Sequence, residues 1–95
     1  MRDDDEPFEL PIEDYIDLHP FRPREVKEVA EEYLIAAREK GFRQVRLIHG
    51  RGIGVQREII RSLLDRLDFV EQFHDAEPTG GGWGATIVLL RAKDS

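Results

Sequence analysis

Two short apolar runs in this chain each end in histidine, and one helical stripe of apolar residues lies between them. The runs are Ile16-Asp17-Leu18-His19 and Val45-Arg46-Leu47-Ile48-His49. Between them Val26, Val29, Ala30, Tyr33, Leu34 and Ala37 recur at spacings of three and four, which gathers them on one face of a helix. A strand, a helix and a strand of these lengths predict a right-handed crossover with the strands as parallel neighbours. His19 and His49 then emerge at one carboxyl-terminal sheet edge, where open α/β sheets bind ligands. Neighbouring strands lie about 4.8 Å apart, so two imidazoles there can meet one phosphate.

The remaining chain continues the pattern. A first strand is predicted from Glu13 to His19, with Ile16 and Leu18 on one face and Tyr15, Asp17 and His19 on the other. Pro20-Phe21-Arg22-Pro23 breaks it, and Pro23 suits a first helical turn that runs on to about Arg38 before Gly41 stops it. Gln44 to His49 reads as a buried second strand. A second helix follows the glycine-punctuated turn Gly50-Arg51-Gly52-Ile53-Gly54, with Val55, Ile59, Ile60, Leu63, Leu64 and Leu67 inward and Gln56, Arg57, Arg61 and Asp65 outward. Phe69 to Asp75 and Ala85 to Arg91 read as third and fourth strands around the loop Pro78–Gly84. The expected fold is α/β: a two-layer sandwich in the order β-α-β-α-β-β with a mixed four-stranded sheet. The position of the last two strands in that sheet is left open.

Composition narrows the chemistry. Ninety-five residues with 40% apolar content suit one compact domain. With no cysteine, disulfides and cysteine-based zinc sites or nucleophiles are excluded. No apolar stretch approaches the roughly 20 residues that span a membrane, and the acidic start lacks the features of a signal peptide. A soluble, cytoplasmic protein with no membrane partner is the expectation. The net charge of −6 resides wholly in residues 1–14, where seven acids face the single base Arg2; residues 15–95 hold 13 acids and 13 bases. Residues 1–12 are therefore expected to be an acidic disordered tail and residues 13–93 the domain. Ten of the domain's 13 bases are arginines, which suit bidentate phosphate recognition.

Several residues point to phosphate chemistry. Gly50, Gly52 and Gly54 let backbone approach a ligand at the start of a helix, whose unpaired N–H groups favour an anion. Arg51 lies inside that turn, and Arg22 and Arg24 begin the other helix beside His19. Asp17 shares a strand face with His19 and can set its tautomer. The loop Gly80-Gly81-Gly82-Trp83-Gly84 reads as a clamp that offers Trp83 for stacking on a base, or equally as a hairpin loop with Trp83 packed on the domain. His74, distant from these signals, is expected to be structural or surface.

These motifs, in this order, resemble the small MutS-related (Smr) domain family. Its leucine-aspartate-x-histidine motif appears as Ile16-Asp17-Leu18-His19, its histidine-glycine-x-glycine motif as His49-Gly50-Arg51-Gly52, and its late glycine-rich signature as Gly81-Gly82-Trp83-Gly84-Ala85-Thr86-Ile87-Val88. The match runs from about residue 13 to residue 91. It departs at position 16, where Ile replaces the usual Leu, and at Pro20, where a glycine commonly follows the first histidine.

The resemblance implies a fold similar to the carboxy-terminal domain of translation initiation factor three, nucleic-acid binding, and in many members endonuclease or nicking activity on DNA or RNA. The expected catalytic set is His19, His49 and Asp17, with one imidazole as general base and the other as general acid. The expected phosphate and nucleic-acid contacts are Arg22, Gly50, Arg51, Gly52, Gly54, Gly81, Gly82, Trp83 and Gly84. RNA cleavage through its 2′-hydroxyl needs no cofactor. DNA requires attack by water, which favours a divalent ion such as Mg²⁺ held by Asp17. The alternatives are a non-catalytic module binding nucleic acid or a protein with the same face, its acidic tail covering the arginines, and a small phosphoesterase.

Overall fold

The computed structural model describes residues 12–50, 54–77 and 84–92. Six elements follow the expected order: β1 (Tyr15–Asp17), α1 (Pro23–Glu39), β2 (Gln44–Ile48), α2 (Val55–Arg66), β3 (Val70–Asp75) and β4 (Ala85–Leu90). They build one mixed four-stranded sheet in the order β1-β2-β4-β3. β1 and β2 are parallel, as the crossover requires, and β4 runs antiparallel to both β2 and β3. The open question of the last two strands is thereby answered. Ala85-Thr86-Ile87-Val88-Leu89-Leu90, apolar at all but one position, lies inside the sheet, while Val70-Glu71-Gln72-Phe73-His74-Asp75 takes the edge.

α1 is well terminated at both ends. Pro23 occupies its first turn, and the Glu25 carboxylate accepts the Arg22 backbone N–H at 3.1 Å. At its other end Gly41 turns left-handed with φ +94°. Its N–H donates to the Arg38 carbonyl and that of Phe42 to the Ala37 carbonyl, both at 3.0 Å, which is a Schellman cap. α1 and α2 cover the same side of the sheet. There Leu18, Val26, Leu34, Val45, Leu47, Ile60, Leu64, Val88 and Leu90 form one buried core.

Four sequence expectations need correction. β1 is three residues long rather than seven, because it is an edge strand that Pro20 soon interrupts, although the Leu18 N–H still donates to the Ile48 carbonyl at 2.7 Å. β2, β3 and β4 are each one residue shorter than expected. Val55, expected inward, is 43% exposed at the first position of α2. Arg57 and Arg61, expected to be solvated, lie half-buried against β3: Arg57 Nη2 donates to both Asp75 carboxylate oxygens (2.8 and 3.0 Å), and Arg61 stacks 5.2 Å from the Phe73 ring centre.

Candidate active site

Strand direction gathers the site. The carboxyl ends of β1, β2 and β3, the start of β4 and the first turns of both helices all meet at one edge of the sheet. His19 and His49 follow the adjacent parallel strands β1 and β2, so both belong to that edge. Register separates them within it. Asp17 pairs with Ile48 and Ile16 with Leu47. Side chains alternate across a strand, so Asp17 and Ile48 project from the face without helices, whereas Leu47 and His49 project into the helix-covered layer. The strand-end histidines therefore sit in opposite environments.

His19 is solvent-facing, with its side chain 63% exposed. Its Nδ1–H donates to Asp17 Oδ1 at 2.7 Å, and its backbone N–H donates to the same oxygen at 3.0 Å. These bonds hold the Asp17 carboxyl below its ordinary range and keep it ionised near neutrality. With Nδ1 engaged, Nε2 has no partner among the described residues.

His49 is buried, only 3% exposed. Nδ1 lies 3.0 Å from the Gly50 carbonyl and Nε2 lies 2.9 Å from Thr86 Oγ1. A carbonyl can only accept, so Nδ1 carries the proton, and Nε2 of the neutral ring accepts from the Thr86 hydroxyl. Burial pushes the His49 pKa below its ordinary value; the Gly50 bond opposes that effect, Arg57 adds to it, and Asp75 opposes it more weakly. The ring is neutral at physiological pH.

The end of β2 is tied down as well. The N–H groups of His49 and Gly50 both donate to the Gly84 carbonyl, at 3.0 and 2.9 Å, which ties the end of β2 to the start of β4. Gly50 has a left-handed φ of +80° and packs on His19; a β-carbon there would lie 3.4 Å from His19 Cβ. Gly54 caps α2, also left-handed at φ +87°. Gln56, in the first turn of α2, donates its side-chain amide to the Phe21 carbonyl and anchors the segment after His19. Arg22 is exposed at the start of α1. His74 is exposed on β3, with Nδ1 2.9 Å from the Asp75 carbonyl. Arg51, Gly52, Gly81, Gly82, Trp83 and the acidic segment 1–11 lie outside the described residues.

Among the described residues, no group of three or more histidine, aspartate or glutamate side chains could hold a metal ion. Asp17 and His19 alone do not make a protein-built cation cage.

A family model described as the Smr domain matches residues 16–91. This chain belongs to the Smr domain family. Related sequences include an endonuclease MutS2 from Thermus thermophilus, 42% identical over 72% of this chain and 11% of its own length. Another, from Caldicellulosiruptor saccharolyticus, is 46% identical over 64% of this chain and 8% of its own. The chain thus spans about a tenth of the length of these relatives. The fold matches the crystal structure of the Smr domain of Thermus thermophilus MutS2 at a TM-score of 0.79 and 40% identity, covering 81% of this chain and 96% of that one. It equally matches YdaL, a stand-alone small MutS-related protein from Escherichia coli, at a TM-score of 0.79 and 28% identity, covering 85% and 66% of the two chains.

Reasoning from sequence missed Thr86, Arg57 and Asp75. Thr86 was visible as the one hydroxyl inside an apolar strand, and Arg57 and Arg61 as a four-residue helical pair. Their shared partner, Asp75, is distant in sequence and becomes a neighbour only through the β3–β4 register, which pairs it with Thr86.

Proposed function

We propose that this Smr domain binds nucleic acid at the edge where β1 and β2 end and cleaves phosphodiester bonds with the Asp17–His19 pair. The observation that carries this reading is an exposed imidazole held at Nδ1 by an ionised carboxylate, with Nε2 unengaged among the described residues. On RNA, neutral Nε2 takes the 2′-hydroxyl proton, O2′ attacks the adjacent phosphorus, and the P–O5′ bond breaks as the departing oxygen takes a proton from solvent. On DNA a water molecule replaces the 2′-hydroxyl as nucleophile. Asp17 stabilises the imidazolium that forms. Arg51 and Arg22 neutralise phosphate charge, and Trp83 stacks on a base.

His49 acts as a positioning residue in this reading. Its two ring bonds and the Gly84 carbonyl hold the turn that packs against His19. That same commitment favours a second reading, a non-catalytic nucleic-acid-binding module, because one of the two expected imidazoles is already engaged inside the protein.

One experiment separates the two. Purified protein and the His19→Ala variant are incubated with end-labelled single-stranded, duplex and branched DNA and RNA, with and without a chelator. Cleavage by the wild type that disappears in the variant supports the nuclease. Binding without cleavage on every substrate supports the module.

A further inference from the structure

The face of the sheet opposite the helices carries a groove of about 380 Å³ that reaches Ile48, the strand neighbour of Asp17. Its lining includes Asp14, Tyr15, Gln44, Arg46, Ile48 and Ile87. Tyr15, on the edge strand β1, is 49% exposed and pairs directly with Arg46 on the neighbouring strand. Arg46 makes no ion pair among the described residues. Ile48 and Ile87 supply an apolar floor that continues into buried Ala85 and Ala76. Asp17 follows Tyr15 by two positions and so projects from the same face.

From this arrangement we propose that the groove is a nucleobase pocket for single-stranded nucleic acid. The nucleotide next to the one held at His19 stacks on Tyr15, and its phosphate meets Arg46. The inference rests on the proposed function only for its direction, since it places this nucleotide beside the cleavage pair. An exposed aromatic ring, a cation on the adjacent strand with no ion pair among the described residues, and an apolar floor are what a stacked base and its phosphate require. The volume falls in the range of small-ligand sites. Asp14 and Gln44 add specificity at the rim: a carboxylate accepts from an exocyclic amino group, so cytosine is preferred to uracil or thymine. A base paired in a duplex cannot enter.

The test uses the full chain and short labelled single strands and blunt duplexes of DNA and RNA, followed by fluorescence anisotropy across a salt series. Tyr15→Ala is expected to weaken single-strand binding on the order of ten-fold, with recovery in Tyr15→Trp and no change for duplex. Arg46→Ala should weaken all single strands and lower the slope of log affinity against log salt by about one. Asp14→Asn should erase the preference for cytosine-rich strands. NMR of the unaltered protein gives an independent reading, because oligonucleotide should shift the Ile48 and Ile87 methyl resonances. Tyr15→Ala binding like wild type, with those methyls unmoved, overturns the proposal. So does a dimer that Ile87→Glu dissolves while single-strand affinity does not depend on Tyr15, because the face then belongs to a second copy. A protein that cleaves but ignores Tyr15 loses the pocket and keeps the nuclease; one that needs Tyr15 to bind yet never cleaves keeps the pocket and loses the nuclease.

Discussion

His19 and His49 follow adjacent parallel strands, yet one is 63% exposed at its side chain and the other 3% exposed overall. β1 is an edge strand whose last paired residue projects from the face without helices. β2 lies between two strands, and the residue after its end points beneath α2. His19 has a carboxylate partner and, among the described residues, a free nitrogen. His49 has a carbonyl and a hydroxyl as partners and no nitrogen to spare. The contrast shows that chemical type and motif position do not by themselves set a histidine's task. In the proposed mechanism, what separates the two tasks is the number of ring nitrogens that the described residues leave unengaged.

The contrast is sharpest in kinetics. If His19 transfers the proton, His19→Ala should lower cleavage by about 10²–10⁴-fold, with a melting temperature close to wild type because the ring is exposed. A substantial loss of stability in this variant would erase the distinction between the two histidines. His49→Ala should behave in the opposite sense. It opens a cavity and strands the Thr86 hydroxyl and the Gly50 carbonyl, costing about 2–3 kcal/mol. Calorimetry would then record a melting temperature lower by on the order of 10 °C for a domain of this size. An unchanged melting temperature would move His49 from the structural side of the comparison to the chemical one.

Acid should sharpen the difference further. The folded-state pKa of His49 is depressed, so the unfolded chain binds the proton more readily. Its stabilising contribution is therefore present above the unfolded value near 6.5 and is lost as pH falls through about 6.5 toward the lower folded value. Melting curves between pH 7.5 and 5 should show wild-type stability falling by no more than about 1.4 kcal/mol per pH unit on this account. The decline should flatten in His49→Gln. An equal decline in both proteins would assign the acid sensitivity to other groups.

Two smaller effects probe the supports. Gly50→Ala should cost about 1 kcal/mol, because a β-carbon is disfavoured at φ +80° and would touch His19. Urea denaturation measures that cost, and cleavage should fall with it if the turn positions His19. Asp75→Asn removes the carboxylate shared by Arg57 and Arg61. Since Asp75 is partly exposed, the loss should be about 1 kcal/mol or less, with His19-dependent cleavage retained.

Much of the scaffold was legible in the chain. Helical periodicity located α1 and α2, Pro23 and Gly41 bounded α1, and the apolar runs located the strands. Alternation in β1 correctly separated Ile16 and Leu18 from Tyr15, Asp17 and His19. The Asp17–His19 contact was also legible, because residues two apart on a strand share a face. The burial of His49 was not. It depends on Thr86, 37 residues away, and on α2 lying over the end of β2. The inward settings of Arg57 and Arg61 were hidden for the same reason, since helical spacing shows which residues share a face but not that an aspartate on β3 stands opposite.

The sequence alone determined what repeats locally: element type, strand–helix–strand handedness, and which side chains share a face of β1. Those follow from backbone sterics and periodicities of 2 and 3.6 residues, which act over a few neighbours. Only the tertiary structure decided that β4 lies between β2 and β3, that both turn N–H groups bond the Gly84 carbonyl, and that one histidine is exposed while its counterpart is buried. Each is a contact between residues far apart in the chain, selected by which strand buries the most apolar surface and which polar groups must find partners once water is excluded.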